Sequence, residues 1–236
     1  MPEPPKLRPP PGLVSLAGLG LLVATVYPMA AERWLATSGV RPVAGVLLGV
    51  GLASLLLWRG VVKETPAPWA LRLGLLSLPA LALLTDDALY LRLVPVAIQF
   101  LIGAYFLLSL RGGSSILQET AKRIHPYAPD FIGPYCRKVT VVFAAFFALQ
   151  GLAVAWIAFD PPTEGWGFAS GILAWAPVMA ATVVEWGVRK SHFRYYGTGP
   201  IDRVLSKWLP SEATEVGRRS LDYVRRMRAE LGMPPP

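Results

Sequence analysis

The sequence predicts an all-α, polytopic membrane protein with about six transmembrane helices and an amphipathic cytoplasmic helix near its C-terminus. Three observations carry this. Hydrophobic residues make up 53% of the chain and charged residues only 16%, against about 25% charged in an ordinary soluble domain. The apolar residues fall in long runs, close to the roughly 20 residues that cross a hydrocarbon core. Lys and Arg cluster in alternate loops and in the tails, giving 23 Lys+Arg against 15 Asp+Glu. In a soluble chain that excess would suggest nucleic acid. Between apolar runs the positive-inside rule explains it more simply, and no nucleic-acid partner is expected.

The elements follow in order. Residues 1–12 form a Pro-rich tail, which Pro9, Pro10 and Pro11 keep from being helical. The six expected spans cover 13–29, 43–58, 68–84, 89–110, 139–159 and 166–188. The second and third are short, which favours little tilt. Lys6 and Arg8 precede the first span, but Met29, Ala30 and Ala31 make a poor cleavage site, so it reads as retained rather than as a signal peptide. Trp34, Trp58, Trp69 and Trp166 fall near span ends, where aromatic side chains anchor at the interface.

Orientation follows from loop charge. Lys6 and Arg8, then Arg59 and Lys63, then Arg111, Lys122, Arg123, Arg137 and Lys138, then the tail from Arg189, all lie on one side. The opposite loops carry Arg33 and Arg41, then Asp86 and Asp87, then Asp160 and Glu164. Both termini are therefore expected in the cytoplasm.

Two segments outside the spans read as helices. Ser115 and Gln118 fit a capping box, and Ile116, Leu117, Ala121 and Ile124 make a stripe for a short helix at the membrane surface, ended by His125 and Pro126. The basic tail 189–236 holds a second helix over 212–231, with Ser211 as N-cap and Gly232 and Pro234 as stop signals. Its apolar face is Val216, Ser220, Tyr223, Val224, Met227 and Leu231, surrounded by Arg218, Arg219, Arg225, Arg226 and Arg228. Such a helix suits anionic membrane lipid, packing on the protein's own loops, or an acidic partner.

Strong catalytic signatures are missing: the chain has no P-loop, G-x-S-x-G, H-E-x-x-H or C-x-x-C motif. Cys136, the single cysteine, reads as a small residue at a helix start and cannot form an intrachain disulfide. His125 and His192 have no cysteine or second histidine nearby, so neither a metal nor another cofactor is expected. His192 is a weak candidate for a catalytic base, because no acid stands four residues from it. Glu185, in the last turn of the sixth span, is the other weak candidate. Its simpler reading is a junction ion pair with Arg189 four residues on, or with Arg137 and Lys138 at the start of span five. Arg92 is placed to pair with Asp86 or Asp87 or to snorkel, and Gln99, Thr140 and Gln150 read as helix–helix hydrogen bonds.

Several stretches carry a resemblance. Leu91-Arg92-Leu93-Val94-Pro95-Val96 opens span four. Pro134-Tyr135-Cys136-Arg137-Lys138-Val139-Thr140 leads into span five, followed by Phe146-Phe147 and Gln150-Gly151. Glu185-Trp186-Gly187-Val188-Arg189-Lys190 closes span six, and Tyr27-Pro28 and Arg41-Pro42 bracket the first loop. From about Leu13 to Arg194 the chain resembles an uncharacterised family of small bacterial inner-membrane proteins, encoded beside acyl carrier protein and ketosynthase genes in clusters for aryl polyene pigments and related lipids. The resemblance implies a location in the inner membrane and acyl carrier protein as a partner. It also implies an accessory role, as a platform or carrier for lipid-like acyl products. A membrane-bound acyltransferase and a structural or flippase-like component are the alternatives.

Overall fold

A computed structural model describes residues 11–58, 66–125, 128–159, 165–196, 199–230 and 232. Among these, every regular element is helical. The expectations for residues 1–10, for Arg59, Lys63, Asp160 and Glu164, and for Leu231 and Pro234 lie outside the described residues.

Helix α1 spans Pro11–Ser38, with Pro11 at its start where the missing N–H costs nothing. It runs nine residues past the expected limit at Met29, as far as Ser38. Gly39, at φ +79°, then stops it, in the left-handed conformation that favours glycine. Helix α2 spans Val40–Trp58 and α3 spans Pro66–Thr85. At the turn after α3, Asp86 takes φ 58° and Asp87 accepts the Leu89 amide at 2.8 Å, capping α4 (Leu89–Ser109). Asp86 meets Arg41 at 3.6 Å, not Arg92 as expected. Helix α5 is Ile116–Ile124. Ser115 makes no capping bond there; Ser109 accepts the Ile116 amide, and Ser114 donates to Glu119.

A short 3₁₀ turn, Asp130–Ile132, leads into α6 (Gly133–Phe159), which starts well before the expected Val139. The next helical run opens with a single turn, α7 (Trp166–Phe168). It passes through a π turn at Ala169–Leu173 and continues as α8 (Ala174–Phe193). Helix α9 (Pro200–Trp208) was not expected at all. Helix α10 is Glu215–Glu230, and its cap is Thr214, which accepts the Gly217 amide at 3.0 Å; Ser211 instead starts a 3₁₀ turn.

Among the described residues, three helical segments are long and apolar enough to cross a membrane: Leu89–Ser109, Asp130–Phe159 and Trp166–Phe193. Val40–Ala53 and Leu73–Thr85 are shorter apolar stretches.

The chain divides into two compact units, one built on Ala17–Tyr105 and Ala144–Pro177, the other on Phe106–Phe143 and Val178–Pro236. In the first, Val43, Ala44, Ala82 and Leu91 form one buried cluster, and Val96, Val154, Ala158 and Ala174 another. Proline sets one of its hydrogen bonds. Pro95 brings no N–H to the Leu91 carbonyl four residues back, and the Tyr27 hydroxyl donates to that carbonyl at 3.0 Å. Helix α1 crosses α7 and the π turn at glycine. A Cβ on Gly171 would lie 2.5 Å from the Thr25 carbonyl oxygen, and one on Gly167 would lie 2.7 Å from that of Pro28. Glu32 accepts the amides of Gly165 and Gly167 at 2.8 and 3.1 Å, a carboxylate at the positive end of a helix.

In the second unit, Ala121, Ala128, Ile132, Cys136, Phe193, Tyr195 and Val224 form the core, with Leu117, Phe131, Val216 and Met227 packed against it. Leu117 and Ala121 of α5 and Val216, Val224 and Met227 of α10 thus share one core with the start of α6, while Ile124 stays exposed.

Candidate functional site

The last turn of α8 carries the charged centre of the second unit. Lys190 is 1% exposed, which is rare for a lysine unless its charge is matched. An ammonium has three N–H bonds to place. Lys190 Nζ donates to the Tyr195 carbonyl at 2.9 Å and lies 3.0 Å from Asp202 Oδ1 and 3.1 Å from Oδ2. His125 Nε2 stands 3.4 Å away. Asp202, in the first turn of α9, is itself buried. Its carboxylate comes within 4.0 Å of His125 Nε2. Burial first, and the Lys190 charge next, lower the His125 pKa to about 4, against an opposing pull from Asp202. The imidazole is therefore neutral at pH 7, and in the tautomer that carries its proton on Nδ1 the Nε2 accepts from Lys190. It is held as an acceptor, not presented as a base.

Beside it, Arg189 Nε meets Glu185 Oε1 at 2.9 Å, and Arg189 Nη1 donates to the Tyr195 hydroxyl at 2.7 Å. Burial pushes the Tyr195 phenol up to about 12, so it stays protonated. Two cations and two carboxylates thus close on each other, and they fasten the segment after α8 to the end of that helix.

Of the residues singled out in the sequence, Glu185 and Arg189 meet as an i, i+4 pair. Arg137 does not join them. It donates to the carbonyls of Leu110 at 2.9 Å and Gly112 at 3.4 Å, which lie past the end of α4. Lys138 is exposed. His192 is exposed and sits edge-on to Phe193, with ring centroids 4.8 Å apart. Arg218, Arg219, Arg225 and Arg226 are exposed, and the Arg219 guanidinium lies over the Phe131 ring at 4.6 Å. Arg228 is a correction: it is 4% exposed, because it falls in line with Gly217, Ser220 and Val224 on the buried face of α10. Thr140 is another, since its hydroxyl bonds to Cys136 O within its own helix. His125, Tyr195 and Asp202 are the partners of Lys190 that sequence reading missed, because 65 and 12 residues separate Lys190 from His125 and Asp202.

Among the described residues, each unit holds a cavity. In the second unit a basic cavity of about 450 Å³ is lined by Arg194, Arg203 and Arg225 with Tyr196, Ser206 and Ser211, against one carboxylate, Glu212. Arg194 holds its wall in place through Pro210 O at 2.9 Å, from a backbone at φ 51°. In the first unit an apolar groove of about 400 Å³ runs along α6 and the π turn, walled by Phe146, Leu149, Ala153, Ile157, Leu173 and Pro177. Gln150 is its one polar lining residue, and donates through Nε2 to the Ala174 carbonyl next to the proline-loosened turn; its Oε1 is buried without a donor.

No group of three or more metal-binding side chains occurs among the described residues. The fold and these sites define an all-α protein with helices able to cross a membrane. Comparison with family models, with curated proteins and with solved structures gives no match.

Proposed function

We propose that this is a multi-pass accessory protein of the bacterial inner membrane, with six spans and both termini in the cytoplasm. In this reading it holds lipid-like acyl chains made by cytoplasmic synthases and delivered on acyl carrier protein. The apolar groove between α6 and the π turn is the observation that carries the reading. It has the walls and volume for a hydrocarbon chain, and a single polar side chain on its lining. The exposed arginines of α10 support the partner, since acyl carrier proteins are acidic and opposite charge speeds encounter. Acyl transfer finds less support: His192 has no acid beside it among the described residues, and Glu185 is taken up by Arg189.

Two measurements test this. A photoreactive fatty acid should label the detergent-solubilised protein at the groove, and Ala153→Trp, which fills it, should remove most of the labelling. Undiminished labelling in that variant refutes the groove as the acyl site. Purified acyl carrier protein should bind at low salt and lose binding in Arg218→Glu/Arg225→Glu/Arg226→Glu, a set that leaves the buried Arg228 untouched. Absence of binding by the wild-type protein at low salt removes the carrier from the proposal.

A further inference from the structure

Helix α9 shows its apolar side to the outside. Ile201, Val204 and Trp208 are 61%, 57% and 82% exposed, and they recur at i, i+3 and i+7 along one face. In a water-facing helix of nine residues this arrangement is costly, because the fold has already buried the opposite side. That side carries Asp202, and the Asp202 carboxylate is locked to Lys190 at 3.0 Å. The lock also fixes where α9 lies. Lys190 belongs to the last turn of a helix long and apolar enough to cross a membrane, Trp166–Phe193. Val183 and Val184, on the same helix, are 64% and 63% exposed. An element held within one side chain's reach of such a helix end stands at the bilayer surface.

The composition of α9 agrees with that position. Tryptophan prefers the boundary between headgroup and acyl chain. Lys207 is exposed on the flank of the apolar face, where its charge reaches the headgroups. We infer that α9 is an in-plane membrane helix, with Ile201, Val204 and Trp208 sunk into the boundary of the bilayer that the spans cross, and Lys207 on anionic headgroups. The inference rests on the membrane reading of the spans, and goes beyond it by assigning an occupant to a face outside them. Helix α5, which the sequence places at the membrane surface, turns Leu117 and Ala121 into the protein core and leaves Ile124 60% exposed.

Spin labelling tests this on the full chain, in a Cys136→Ala background reconstituted into phosphatidylcholine vesicles containing phosphatidylglycerol. Single cysteines at Val204, at Val184 on the span and at Arg218 on the exposed side of α10 carry the label. The ratio of oxygen to nickel-chelate accessibility at 204 should approach that at 184 and exceed that at 218 several-fold. A ratio at 204 equal to that at 218 overturns the inference, as does shielding from both reagents, which would mean that protein covers the face. A water-like ratio at 184 removes the membrane reading itself, and the inference with it. Should the cysteine variants fold poorly, the wild-type protein and Trp208→Phe can be compared in brominated lipid. The emission lost on substitution should belong to the quenched fraction; an unquenched Trp208 sinks the proposal.

Discussion

Lys190→Met is the sharpest test of the charged centre. The substitution keeps the length of the side chain and removes its charge, so the Asp202 carboxylate is left buried without its cation. Breaking one partner of a buried pair costs about 3–5 kcal/mol. For a chain of this size each kcal/mol moves the melting temperature by about 2–4 °C, so a loss on the order of 10 °C is expected. The protein carries its own reporter. Cys136 is the only cysteine, is fully buried, and sits in the same core as Tyr195, so a thiol-reactive fluorogenic dye reads the melting of this unit. Removing both charges in Lys190→Met/Asp202→Leu should restore much of the loss, since no orphaned charge remains. The pH dependence adds a second axis. In the wild-type protein His125 is held near 4, below its ordinary 6.5. Between those values the unfolded chain takes up a proton that the folded chain refuses. Stability is therefore full above pH 6.5 and falls on acidification, by at most about 1.4 kcal/mol per pH unit and less to the extent that water reaches the ring. Removing Lys190 removes one depressing charge and leaves Asp202 4.0 Å away, so His125 gains proton affinity and can pair with it. The gap between variant and wild type should narrow from pH 7.5 to pH 5.5. A gap that stays constant or widens would refute the coupling, and a Lys190→Met protein that melts with the wild type would refute the lock.

Other perturbations reach other parts. Glu185→Ala, which removes the Arg189 partner, should cost about 1.5–3 kcal/mol and lower the folded yield in detergent, with Glu185→Gln milder; equal yields would show the pair to be idle. Gly171→Ala places a methyl group against the Thr25 carbonyl where α1 crosses the π turn, and should lower the melting temperature well beyond the same change at Gly187, which faces open space. Reporter fusions after Trp58, after Gly113 and at the C-terminus should report cytoplasm and one near Asp87 periplasm. A periplasmic C-terminus would overturn the six-span orientation.

The apolar runs were legible because hydrocarbon burial needs only composition and length, and α4, α6 and α8 lie where those runs lie. Helix ends were less so. Gly39 and Asp86 stop α1 and α3 by adopting positive φ, which the hydropathy pattern does not register. Helix α9 left a readable trace that hydropathy also hides: Pro200 and Asp202 in a first turn, then Ile201, Val204, Leu205 and Trp208 at helical spacing. The cluster of His125, Lys190 and Asp202 was not legible, because tertiary packing and not local spacing brings its members together. The Glu185–Arg189 spacing could be read because both residues share one helix face. For Arg228 the helical wheel was right and its orientation was not: the face that buries Val224 also carries Arg228 inward.

The partners of Lys190 also order the protein's biosynthesis. One acceptor, His125, precedes it by 65 residues, whereas the Tyr195 carbonyl and Asp202 follow by five and twelve. Until Asp202 has been made, the ammonium therefore lacks the carboxylate that closes it off in the folded chain. Only when the chain as far as Asp202 has left the ribosome can the charge be closed off and Tyr195 drawn into the core. A nascent chain that stalls before that point keeps a hydrated cation where the finished protein has a dry contact. Closure of this buried pair thus waits on synthesis of the chain as far as Asp202.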